Sequence, residues 1–269
     1  SWNAAPMDEN VWAGDWGRSN ATANVTYVSA FLCPSDAENG GNNQFFLNGQ
    51  NKLINTTDYY WNVGKARFFS NGLVNGPSYS PGVVDFDMLN GAQCAGKTIR
   101  MASFTDGTSN TAILSESLQS AGGSEQGSAG LRMVYGGSFS YTQFATPPAG
   151  MTSDWAAAQY CQMTPLEDNY WWKGEFALSG GHNLYSHTQT PNRKSCYWAN
   201  NNQFPGTSGG QDYQGATHTM VAASSAHPGG VNVLFMDGSV KFVKNSVNYT
   251  AWHAIATVAG GEVVSADAF

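Results

Sequence analysis

The residues able to do chemistry in this chain are few and far apart. His227 and Asp237 flank nine residues in "HPGGVNVLFMDG", and Gly238 follows the aspartate. An imidazole and a carboxylate can make a general-base pair. Asp237 and Gly238 are also the residues that a tight hairpin turn needs for its backbone, so architecture is the favoured role for all three. Cys161, His182, His187 and Cys196 offer two thiols and two imidazoles. Zinc sites carry close cysteine pairs, which this set lacks, so disulfides are favoured. Asp106, Thr108 and Asn110 alternate as ligands do in a calcium loop. Thr111 and Ser117 stand where that loop requires Gly and Glu, so turn chemistry is preferred and Asp106 and Asn110 remain calcium candidates of second rank. "DYYWN" (Asp58–Asn62) and "NYWWKG" (Asn169–Gly174) could stack sugars, but paired aromatics more often serve a core or an interface. Sequons at Asn20, Asn24, Asn55 and Asn248 are candidate glycosylation sites only in a glycosylating host.

The elements that must position these residues are short. "VNVLFM" and "SVKFVK" alternate on either side of Asp237-Gly238, which predicts a hairpin with a two-residue type I′ turn. His227 then lies near the far end of the first strand, roughly 20 Å from Asp237 at about 3.3 Å per residue. The two should not touch. "NSVNYTAWHAIATVAGG" predicts a helix capped by Ser246, striped by Val247, Ala251, Ile255 and Val258, and stopped by Gly260-Gly261. "KTIRMASFTDGTSNTAILSES" reads as strand, turn, strand, and "LRMVYGGSFSYTQF" as strand. "SDWAAAQYC" reads as a short helix, and "VTYVSAFLCPSD" as a strand or short helix ended by Cys-Pro. Residues 119–130 form a Gly/Ser-rich loop. Residues 180–211 show almost no periodicity and are expected to be a long surface excursion. Without a repeat or linker, residues 1–269 form one β-rich domain.

Composition narrows the function. The 269 residues carry net charge -7, which argues against nucleic acid as a partner. Only 12% of them are charged, about half the usual share, while 31 are glycine and 13% aromatic. No apolar run is long enough to span a membrane. The opening "SWNAAPMDENVW" reads as a mature, processed or truncated start. Four cysteines, in a chain poor in Lys and rich in Asn and Gly, suit an exported protein with two disulfides. Three pairings are open; Cys33–Cys94 with Cys161–Cys196 is favoured, because each pair lies within one half of the chain.

The H-x(9)-D-G stretch does not stand alone. With "WHAIATVAGGEVVSADAF" after it, and "FLCPSD", "DGTSNTAILSES" and "TPNRKSC" before it, the chain resembles the planctomycete-type family of pilin-like proteins over nearly its whole length. That resemblance implies an α+β, mostly β fold: a pilin-like antiparallel sheet head with long loops and a short C-terminal helix. It also implies a prepilin-type hydrophobic N-terminal helix, which is not in this chain and would be the only link to a membrane. No catalytic activity and no cofactor are implied. The expected function is an extracellular or cell-surface subunit whose partners are copies of itself in a filament or other assembly. A carbohydrate- or surface-binding adhesion module is the alternative, with glycans or other surface proteins as partners. A hydrolase using His227 ranks third.

Overall fold

In the computed structural model the described residues are 26, 28–36, 44–47, 50–53, 56–62, 64, 100–119, 131–132, 134–136, 158–159, 161–162, 168–170, 184–197 and 219–262. Eleven strands lie among them. In chain order these are β1 (Gln44–Leu47), β2 (Gln50–Leu53), β3 (Tyr59–Asn62), β4 (Ala112–Glu116), β5 (Val134–Gly136), β6 (Asp168–Tyr170), β7 (Leu184–Tyr185), β8 (Ser195–Tyr197), β9 (Thr219–Met220), β10 (Gly230–Phe235) and β11 (Val240–Lys244). One five-stranded sheet runs β11-β10-β4-β3-β7, a four-stranded sheet runs β6-β5-β8-β9, and β1 pairs with β2. With the short helix Tyr249–Ala254, and with residues 158–159 and 161–162 helical at the end of the expected "SDWAAAQYC" helix, the fold is α+β and mostly β, as expected. It departs from a purely antiparallel head: β3 runs parallel to β7, and β5 parallel to β8.

The β10–β11 hairpin forms where the alternation places it, with Gly230 opposite Lys244 and Leu234 opposite Val240. Its turn is not type I′. The Gly238 amide donates to the Phe235 carbonyl at 3.0 Å, and the Phe235 amide to the Ser239 carbonyl at 2.8 Å. Three residues, Met236 to Gly238, therefore make the loop. Gly238 alone takes positive φ, at 87°, as in a type I turn closed by a glycine bulge. Asp237 accepts from the Ser239 amide at 2.9 Å and from its hydroxyl at 2.6 Å, which holds its carboxyl below the usual range.

Alternation buries Val231, Val233, Phe235 and Val243 against Tyr60, Leu184, Tyr185, Trp252 and Ile255 in one apolar core. The helix contributes Trp252 and is shorter than its apolar stripe predicts. Its cap is Asn248, whose Oδ1 accepts from Thr250 and Ala251, and Ser246 lies outside it. Val247, Ile255 and Val258 are nonetheless buried, the last two in a non-helical run that lies along β4. Asp106 fastens that run: its carboxyl accepts from the Gly260 and Gly261 amides at 2.6 and 2.8 Å and from the Thr257 hydroxyl at 3.2 Å. Asn110 Nδ2 donates to the Asp106 carbonyl at 3.1 Å, so these two residues act as a hydrogen-bonded latch in this structure. Of the strand expected between Lys97 and the "TDGTSN" turn, the described part begins at Arg100 and forms a 3₁₀ turn at Met101–Ser103.

The largest correction concerns the expected surface excursion at residues 180–211. Its described part supplies β7, β8 and some of the most deeply buried polar residues, including Ser186, His187, Thr188 and Gln189. Cys161 and Cys196 form the expected disulfide, joining the helical residues around Cys161 to β8. His187 therefore serves no zinc site, and His182 lies outside the described residues.

Candidate functional site

Residues directly opposite each other in antiparallel strands share a face. Trp61 faces Leu114, Leu114 faces Leu234, and Leu234 faces Val240, making one row across the sheet. A second row runs beside it. Tyr59 faces Glu116, Asn232 Nδ2 reaches Glu116 Oε1 at 2.9 Å, and Asn232 faces Phe242. This is the outer face, opposite the core. Trp61, Val240 and Phe242 are 40, 62 and 44% exposed on it. Among the described strands, β11 pairs only with β10.

Three functional groups from distant parts of the chain meet beside the second row. Cys33 Sγ lies 3.6 Å from His227 Nε2 and 4.0 Å from Glu116 Oε1, and His227 Nε2 lies 3.3 Å from Glu116 Oε1. Cys33 and Glu116 are buried, and the His227 side chain is 32% exposed. The expected Cys33–Cys94 bridge is not formed: Cys33 is a free thiol, and Cys94 lies outside the described residues.

Each member is held by its own support. Cys33 opens a "CPSD" turn closed by the Asp36 amide on the Cys33 carbonyl at 2.9 Å. Arg132 clamps the buried Asp36 carboxyl with both guanidinium ends. The Cys33 amide donates to Asp58 Oδ2. Burial, above all other influences, pushes the Asp58 carboxyl up to about 7. Glu116 ends β4, and Asn232 fixes both of its oxygens, with the Asn232 amide 2.8 Å from Oε2. Burial raises the Tyr59 phenol, and Cys33, Glu116 and Asp58 raise it further.

His227 rides on the loop entering β10, and Asn192 holds that loop. Asn192 Oδ1 accepts from the Ser225 amide at 2.8 Å, and its Nδ2 donates to Asn245 Oδ1 at 2.7 Å. It has the only positive φ among described non-glycine residues, 57°. The His227 amide donates to the Ser225 hydroxyl at 3.0 Å.

The structure thus places Asp237 and Gly238 in the turn and His227 beyond the other end of β10, where its partners are Glu116 and Cys33. The same ring nitrogen faces both partners. A relay triad needs the base to meet the nucleophile through one nitrogen and the orienting acid through the other. The arrangement instead converges three donor atoms on one point, as ligands do. Sequence reasoning passed over Glu116, Asn232, Asp58 and Asn192, because only tertiary contact gives them a role. Asn248 is the helix cap, and the other sequon residues, Asn20, Asn24 and Asn55, lie outside the described residues. No described helix is long and apolar enough to cross a membrane.

A family model described as "protein of unknown function (DUF1559)" matches residues 3–250. No curated protein and no solved structure matches the chain.

Proposed function

The chain belongs to the DUF1559 family, and we propose that it is an exported, non-enzymatic, pilin-like structural subunit that associates with copies of itself at the cell surface or beyond it. One observation carries the reading: the outer face of the five-stranded sheet, where Trp61, Leu114, Leu234, Val240 and Phe242 make a continuous apolar surface reaching an edge strand. Contiguous exposed apolar surface of this kind favours association. A second copy is the favoured occupant on electrostatic grounds. With net charge -7, copies repel through most of their surfaces. Among the described residues this face carries a single acidic side chain, Glu116, which is buried and held by Asn232. The Cys161–Cys196 disulfide suits an oxidising compartment. The Cys33–Glu116–His227 cluster lacks a relay geometry, which supports a role without catalysis.

Light scattering over a concentration series tests the reading. Wild-type protein should form oligomers, and the double variant Val240→Lys, Phe242→Lys should remain monomeric with unchanged circular dichroism. A wild-type chain that stays monomeric at high concentration, or a variant that assembles equally well, overturns it. Exposed Trp61 beside Tyr59 favours a second reading, in which this face stacks sugar rings. Glycan binding abolished by Trp61→Ala in a monomeric protein would select it.

A further inference from the structure

The geometry points to a transition-metal site of the zinc class built by Cys33, Glu116 and His227 at the margin of the proposed self-association face, where it shares Glu116 with that face but does not depend on self-association. The three donor atoms all lie within 4.8 Å of one another. Zinc bonds of about 2.3 Å to sulfur and about 2.0–2.1 Å to nitrogen and oxygen, at tetrahedral angles, set ligand atoms roughly 3.3–3.6 Å apart. The sulfur–nitrogen and nitrogen–oxygen separations here are 3.6 and 3.3 Å, and the sulfur–oxygen separation is 4.0 Å. The point equidistant from all three, in the plane of the donors, lies about 2.1 Å from each; a tetrahedral ion standing off that plane draws sulfur and oxygen together by roughly 0.4 Å.

The donor set selects the metal. A thiolate with an imidazole suits zinc and its neighbours, whereas magnesium and calcium take oxygen donors throughout. The surroundings have the form of a built site. Asn232 fixes both oxygens of Glu116, and Asp58 holds the amide of Cys33, as outer partners orient the ligands of a metal. Binding displaces the thiol proton to solvent and leaves a metal-bound thiolate. The half-exposed His227 leaves a fourth position to water or to a donor brought by a partner. The ligands come from the 33–36 turn, from β4 and from the loop before β10, so an ion here ties three segments together.

Cobalt(II) titration of the full chain, after treatment with a chelator, tests this. A near-ultraviolet thiolate charge-transfer band should saturate at one equivalent and be displaced by zinc. Cys33→Ser should abolish the band and Cys94→Ser should retain it. Asn232→Ala should weaken zinc binding about 10–100-fold. Circular dichroism identifies variants that fail to fold; if they do, X-ray absorption of the zinc-loaded wild type must show one sulfur in the first coordination shell. The absence of a saturable band in folded wild type, a band unchanged by Cys33→Ser, a shell without sulfur, or native protein with Cys33 bridged to Cys94 would each overturn the site.

Discussion

His187 and His227 occupy opposite kinds of surroundings, and the difference separates an architectural imidazole from a reactive one. His187 is fully buried. It stacks on Trp252 with ring centroids 4.0 Å apart. Its Nδ1 lies 2.7 Å from the Trp252 carbonyl and its Nε2 3.0 Å from the Tyr185 hydroxyl. A carbonyl only accepts, so Nδ1 carries the proton and Nε2 accepts from Tyr185. Both nitrogens are satisfied, and burial lowers the pKa to about 3. Trp252 Nε1 donates to the Gln189 carbonyl at 2.6 Å, which closes the cluster. His227 is partly open to solvent, and its Nε2 faces a thiol and a carboxyl at once. Burial with complete pairing makes a histidine part of the core. Partial exposure beside a thiol and a carboxyl leaves it available as a ligand.

The largest expected effect breaks the buried side of this contrast. His187→Ala leaves the Trp252 carbonyl and the Tyr185 hydroxyl without a partner and opens a void beneath the indole. The loss should reach about 3–5 kcal/mol in urea unfolding. A loss below about 1 kcal/mol would mean the stack is not what holds β7 to the helix.

A second, intermediate effect is pH dependence. Above pH 6.5 the His187 imidazole is neutral whether the chain is folded or not. As pH falls from there toward 3, the unfolded chain takes up a proton that the fold refuses. Stability should therefore drop, by up to about 1.4 kcal/mol per pH unit. Asp58 works in the opposite sense. Between its unfolded value of 3.8 and its folded value of about 7, the unfolded carboxyl ionises while the buried one keeps its proton. Its contribution is full below pH 3.8 and is lost as pH rises toward 7. Asp58→Asn should remove that offset and steepen the acid loss, read as urea midpoints at pH 4 and pH 7. Equal midpoint shifts in variant and wild type would count against the burial of Asp58.

The smallest effect sharpens the other side. In metal-free protein, Glu116 keeps both hydrogen bonds from Asn232 when His227 is removed, and the imidazole is already partly hydrated. His227→Ala should cost no more than about 1 kcal/mol by thermal or urea unfolding. A cost matching that of His187→Ala would erase the distinction between the two sites.

The sequence exposed the β10–β11 hairpin well, because one buried face and one open face produce alternation and the turn marks itself with Asp237-Gly238. It misjudged the loop by one residue, since dipeptide chemistry does not reveal whether Met236 stays paired in the strand. The helix was visible in its stripe, but Ser246 and Asn248 are both good caps, and which one serves depends on where Val247 enters the core. Residues 184–197 were opaque for a different reason. Apolar periodicity cannot register a buried segment whose interior positions are Ser186, His187, Thr188 and Gln189, each paid for by hydrogen bonds such as the 2.8 Å contact between Ser186 and Thr188. The candidate site was hidden by distance along the chain: Cys33 stands 83 residues from Glu116 and 194 from His227. Nothing local to Glu116 sets it apart from a strand-end carboxyl.

The parallel pairing of β3 with β7, covered by Trp252, sets an order of events during synthesis. A ribosome releases Tyr60 and Trp61 long before Leu184, and Leu184 well before Trp252 and Ile255. Until those last residues emerge, the imidazole of His187 has no indole to lie on and its pairing with the Trp252 carbonyl is absent. From the emergence of β4 to that of Ile255 the nascent chain therefore carries an unfinished sheet, because joining segments so far apart costs loop entropy before any contact offsets it. A holding chaperone would answer that need, keeping β3 and β4 from pairing with the wrong chain until the rest arrives.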